Sequence, residues 1–177
     1  ATLRLPFRVA AFVVTCPMCK LAVEVPGWKA AAGKVMSRLW PTFALPTELD
    51  PAGLTHIQSV VDQYANDPLN KTVATSRWFT EAGDAQEDLM LRANRITHPF
   101  LMLIGGSDPI VDPNGSRDAF SRIGSEDKEL EVYDDLFHEI LNEREWADIM
   151  RRIIGWLERQ RAALDAARGE SDESEEE

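Results

Sequence analysis

Two short loops hold the residue types that acid-base chemistry needs. Gly105-Gly106-Ser107-Asp108-Pro109 offers a carboxylate at Asp108, and Leu136-Phe137-His138-Glu139 offers an imidazole at His138, thirty positions further on. A carboxylate that meets an imidazole fixes its tautomer and stabilises the imidazolium, so that the other ring nitrogen can take a proton from a nucleophile. Each residue alone has a simpler reading: an Asp after Gly-Gly-Ser is a turn former, and a single His ahead of an acidic helix is a cap. The spacing gives the pair its weight. Thirty residues accommodate one helix and one strand, which brings both side chains to the same rim of adjacent parallel strands, where open α/β sheets place their reactive groups.

The surrounding sequence supplies such strands. Phe100-Ile104 (FLMLI) follows Pro99 and stops at Gly105-Gly106, the short continuous apolar run of a strand buried on both faces. Arg8-Val14 (RVAAFVV), closed by Thr15 and Pro17, reads the same way, whereas Glu129-Tyr133 alternates Leu130 and Val132 with charged neighbours, as a strand nearer the sheet edge does. Asp112-Pro113 pairs an N-cap residue with proline at the first helical position and predicts a helix to Ile123. Asn142 with Glu145 predicts the cap of a last helix whose Trp146, Ile149, Ile153, Trp156 and Leu157 share a face and which ends near Gly169. From Gly27 to about Leu91, helical patches broken by Pro41, Pro46, Pro51 and Pro68 predict a helical insertion rather than a layer of sheet. Strands alternating with helices of this size specify an α/β fold, a parallel sheet with helices on its faces.

Taken together, G-x-x-D-x-I-V-D-P from Gly105 and Y-x-x-x-x-H-E-I-L-N-E from Tyr133 are similar to the acid and base motifs of monoacylglycerol lipases and bacterial lysophospholipases, serine α/β-hydrolases. The insertion resembles that family's cap as well, through Trp28-Pro41 and Tyr64-Ala65-Asn66-Asp67-Pro68-Leu69. The resemblance implies the C-terminal half of an α/β-hydrolase fold: residues 1–26 a core strand and the start of the cap, 27–91 the cap, 92–168 the α/β core with the acid and base loops, and 169–177 a disordered acidic tail. It implies that Asp108 is the catalytic acid and His138 the base, with Asp112 and Glu139 structural, a lipid ester as substrate, and no metal or organic cofactor. A cap of this kind covers the nucleophile, lines an acyl-chain tunnel and allows transient contact with a membrane surface.

One part of the family pattern is missing. The nucleophile of such enzymes sits in G-x-S-x-G on a strand-to-helix elbow upstream of the strand that Arg8-Val14 resembles. Ser37, Ser59, Ser76, Ser107, Ser116, Ser121, Ser125, Ser171 and Ser174 all lack the two flanking glycines, and no oxyanion loop is present. The chain alone is therefore expected to be inactive as an ester hydrolase. A non-catalytic remnant or interaction protein is the alternative, and the absent segments are also those that separate a lipase from a thioesterase, peptidase or epoxide hydrolase.

Other features carry less. Cys16-Pro17-Met18-Cys19 after a strand is the spacing of a thiol-redox site, but such a site needs a long helix starting at the first Cys, and Lys20-Val25 stops at Pro26-Gly27. No second Cys or His pair follows at zinc spacing. His98 reads as a strand-entry residue and His56 as an idle surface histidine. Six of the negative charges behind the formal −11 fall in Glu170, Asp172, Glu173, Glu175, Glu176 and Glu177, so the body is only mildly acidic and offers no basic face for nucleic acid. The apolar start leads into Pro17 and Pro26 without a small-residue cleavage pattern, which predicts a cytoplasmic protein, peripheral to membranes at most.

Overall fold

The computed structural model describes residues 9–22, 25–47 and 49–175, with side chains described as far as Ala167. Three parallel strands, β1 (Phe12–Thr15), β4 (Phe100–Gly105) and β5 (Lys128–Tyr133), form a sheet in the order β1-β4-β5, with Phe12 opposite Phe100 and Gly105 opposite Tyr133. Between β1 and β4 lie α1 (Gly27–Leu39), β2 (Ala44–Pro46), α2 (Gln58–Asn66), β3 (Val73–Thr75) and α3 (Ser76–Arg92). Helix α4 (Pro113–Arg122) joins β4 to β5, and α5 (Trp146–Glu175) closes the chain.

The middle strand is the core because successive side chains point to opposite faces and both faces are covered. Leu101 and Leu103 pack with Leu136, Ile140 and the Ile149, Ile153 and Trp156 stripe of α5. Phe100, Met102 and Ile104 pack on the other side with Ala93, Ile96 and Ile123, joined by Phe120 of α4 and Leu130 and Val132 of β5. On the α5 side β5 presents Glu129 and Glu131, and Arg152 of α5 binds both carboxylates, with Nε 2.6 Å from Glu131. An arginine at that helical position keeps two like charges on one strand face from repelling each other.

Several local expectations need correction. β1 starts at Phe12 rather than Arg8, which lies outside the described residues, and Phe12, Val13 and Val14 are half-buried because, among the described residues, β1 pairs with β4 alone. The stretch expected to be a helical insertion without sheet also holds an antiparallel pair, β2 with β3, Ala44 opposite Thr75. Asn142 does not cap the last helix: it sits in a 3-10 turn, Ile140–Asn142, and its amide donates to Glu139 at 2.6 Å. Helix α5 starts later, at Trp146, and Trp146 and Leu157 are exposed rather than part of the buried stripe. It also continues past its expected end near Gly169 to Glu175, since a glycine weakens a helix by about 1 kcal/mol but does not stop it without a following breaker.

Among the described residues the outer edge of β1 has no strand partner, and the strand is apolar. Such an edge templates pairing with another chain. These 177 residues expressed alone are therefore expected to self-associate in light scattering after size exclusion. A monodisperse monomer that melts cooperatively would remove that expectation.

Candidate active site

The Asp108 and His138 loops leave the C-terminal ends of β4 and β5 and are sewn to each other by the backbone. Gly106 N donates to Tyr133 O at 2.8 Å, Ser107 N to Leu136 O at 3.1 Å, and the Ser107 hydroxyl to Asp134 O at 2.8 Å. This stitching brings Asp108 and His138 together: His138 Nδ1 lies 2.8 Å from Asp108 Oδ2, with the Asp108 side chain 1% exposed and the imidazole 25% exposed. The other carboxylate oxygen, Oδ1, accepts from the amides of Ile110 at 2.8 Å and Val111 at 3.0 Å. Because an ionised carboxylate only accepts, the neutral imidazole in this contact carries its proton on Nδ1 and leaves the lone pair on Nε2, the tautomer a general base uses.

A second strap holds the acid loop from the β1 side. Asp112 N donates to Lys20 O at 2.9 Å, Ala22 N to Ile110 O at 3.1 Å, and Lys20 Nζ lies 2.7 Å from the Asp112 carboxylate. As expected, Asp112 also caps α4, accepting from Asn114 N at 2.9 Å. The Lys20 hydrogen bond, helped by that amide, holds the Asp112 carboxyl below the usual carboxylate range.

Cys16 lies beneath the pair, at the end of β1, with a backbone φ of 40° that is rare for any residue but glycine, and its Sγ accepts from Gly105 N at 3.3 Å. Donor atoms of Cys16, Asp108 and His138 all fall within 4.8 Å of one another, a set that could hold a soft cation. Burial opposes this by pushing the Cys16 thiol up to about 11, and a cation would also have to open the Asp108–His138 bond. Burial raises Cys19 too, and no helix starts at Cys16, so the pair lacks both features of an activated redox site. Neither thiol is expected to react with a disulfide reagent in the folded protein near neutral pH, and a fast native-state reaction would overturn this. A raised folded-state pKa gives stability that is present below the thiol's ordinary value, so the Cys16 contribution should fall as pH rises from 9.0 to about 11.

Residues 1–145 match the family model described as serine aminopeptidase, S33. The chain belongs to the S33 serine aminopeptidase family. Among curated proteins it is 29% identical to a monoacylglycerol lipase of Mycolicibacterium smegmatis, over 87% of this chain and 55% of that protein. It is 24% identical to the phospholipase YtpA of Bacillus subtilis, over 81% of this chain and 56% of that one. The crystal structure of Paleococcus ferrophilus monoacylglycerol lipase superposes with a TM-score of 0.81 at 29% identity, covering 88% of this chain and 61% of that one. A monoglyceride lipase from Saccharomyces cerevisiae shares the fold at a TM-score of 0.72 and 20% identity, over 86% of this chain and 54% of that one. The chain thus spans about half the length of these curated relatives, and its fold is that of the C-terminal part of an α/β-hydrolase with its cap.

Two residues of this S33 chain take places that its sequence did not reveal. Glu143 is buried under the base loop, and His56, expected to be idle, is its partner at 2.9 Å. The signal for Glu143 lay only in its position five residues after His138. His98 takes a packing role instead, its ring edge-on to Phe12 at 5.8 Å.

Proposed function

We propose that the complete protein hydrolyses lipid esters, monoacylglycerols or lysophospholipids, with His138 as general base and Asp108 as the acid that orients it. The observation that carries this reading is the 2.8 Å contact between His138 Nδ1 and a buried carboxylate whose second oxygen is already held by two amides. The names of the M. smegmatis and B. subtilis relatives support the substrate class. In the complete protein, a serine on an elbow upstream of β1 attacks the ester carbonyl while His138 Nε2 takes its proton. The tetrahedral adduct collapses as His138 returns that proton to the leaving alkoxide oxygen, that of glycerol or of the glycerophosphodiester, giving an acyl-serine. Water, deprotonated by the same nitrogen, then attacks the acyl carbon, and the proton goes back to the serine oxygen as the fatty acid leaves. The present chain lacks that serine and on this reading hydrolyses nothing alone.

A groove of about 500 Å³ supports an acyl substrate. It runs between α1, α3 and the segment after β1, with Met18, Leu21, Trp78 and Phe79 on its apolar side and both cationic (Lys20, Lys34) and acidic (Asp84, Glu87) residues on its polar side. Trp28, Leu39, Trp40 and Trp78 are exposed on the same cap, which suits contact with a lipid surface. No helix among the described residues is long and apolar enough to cross a membrane. The test is fatty-acid release from monoacylglycerol and lysophospholipid by the full-length protein and by its His138→Ala variant. Failure of the wild type to release fatty acid from either would sink the lipid reading, and a fully active variant would sink the assignment of the base.

A further inference from the structure

Glu143 takes no part in that reaction, yet it is 2% exposed, and a carboxylate is tolerated at such depth only where hydrogen bonds replace water. Its oxygens accept from His56 N at 3.1 and 3.2 Å, and Oε1 also meets His56 Nδ1 at 2.9 Å and Phe137 N at 3.4 Å. The His56 ring in turn lies on the Phe137 ring with centroids 3.8 Å apart. The Phe137 amide is the longest of these contacts, so the carboxylate acts on the loop chiefly by fixing the histidine that stacks on Phe137.

On the other side of His138 the same cap segment makes direct contact. Glu139 N donates to Leu54 O at 2.7 Å, and the buried Thr55 hydroxyl donates to Asn142 O at 2.9 Å. Both chain neighbours of His138 are therefore held by residues 54–56. The preceding Gly53 packs on Pro109, next to Asp108, where an added Cβ would lie 2.7 Å from the proline ring. One short piece of the cap thus touches the loop of the acid and grips the loop of the base.

We propose that Glu143 is a positioning residue for His138: with His56 it locks the cap segment Leu54–His56 onto the base loop, so that the imidazole meets Asp108 only while the cap is docked. The inference rests on the Asp108–His138 reading, and the test separates the two. In the full-length protein, the Nδ1-bound proton of His138 is followed by NMR together with the amides of Phe137 and Glu139. The signal should vanish in Asp108→Asn; if it survives, the acid-base reading falls and this inference falls with it. In Glu143→Gln, exchange of these three protons with water should accelerate about ten- to a hundredfold, the loss expected for a charge-assisted hydrogen bond, while the Met102 and Leu103 amides of β4 keep their protection. His56→Ala should give a smaller acceleration at the same protons, and the double variant no more than Glu143→Gln. Unchanged exchange in Glu143→Gln, or equal acceleration in β4, overturns the proposal. Should Glu143→Gln not fold, His56→Ala decides alone: unchanged exchange at Phe137, Glu139 and His138 overturns it.

Discussion

Asp108→Asn in the full-length protein is expected to lower kcat by about four orders of magnitude while leaving KM and the melting temperature nearly unchanged. The reason lies in how Asp108 is held. Its Oδ1 is fixed by the amides of Ile110 and Val111, so an asparagine at 108 keeps its carbonyl oxygen there and turns its amide nitrogen toward His138. That nitrogen donates, so His138 Nδ1 must accept and the ring proton moves to Nε2. The imidazole then sits in the right place with its basic lone pair occupied. Because asparagine has the shape of aspartate and the two amide bonds survive, the fold is not the cause of the loss. Steady-state kinetics with a monoacylglycerol, beside a thermal melt, check this. A loss below about tenfold would mean that the 108–138 contact does not set the tautomer.

How far the sequence carried the reading depended on how local each signal was. β4 was legible because five apolar residues between Pro99 and Gly105 fit only a strand covered on both faces, and α4 because Asp112-Pro113 marks its first turn chemically. Asp108 and His138 could be placed side by side because the chain between them is one helix and one strand of ordinary length. What escaped was decided by partners far along the chain. β2 and β3 are three-residue strands that define each other across some thirty residues, although the β-branched Thr72-Val73 and Thr75 were a hint. The cap predicted at Asn142 failed because the chain first makes a 3-10 turn over Ile140–Asn142 that places Ile140 in the core, and α5 begins only at Trp146, which is exposed. Glu143 reads as one acid among several in an acidic run; its burial follows from His56, 87 positions away, and no local pattern announces such a pairing.

Gly105→Ala is expected to lower both stability and activity sharply. Gly105 ends β4 opposite Tyr133, and no glycine among the described residues has positive φ, so the need for glycine here is steric. An added Cβ would lie 2.2 Å from Phe137 O and 2.5 Å from Leu136 O. Both are backbone atoms of the base loop, so no rotamer change relieves the overlap and the loop itself has to move. Ser107 N donates to Leu136 O and Gly106 N to Tyr133 O, so displacing the loop strains the hydrogen bonds that bring Asp108 to His138. Overpacking of this kind destabilises by about 3 kcal/mol, and a shift of about 1 Å at a catalytic base costs on the order of a hundredfold in rate. Gly155→Ala supplies the contrast within the same protein: an added Cβ in the middle of α5 meets nothing within 4 Å. There the methyl should stabilise by about 0.5–1 kcal/mol through helix propensity alone. Urea melts and turnover of the two full-length variants side by side check the pair. If Gly105→Ala proved as stable and as active as the wild type, the close approach of the two loops that builds this site would not exist in solution.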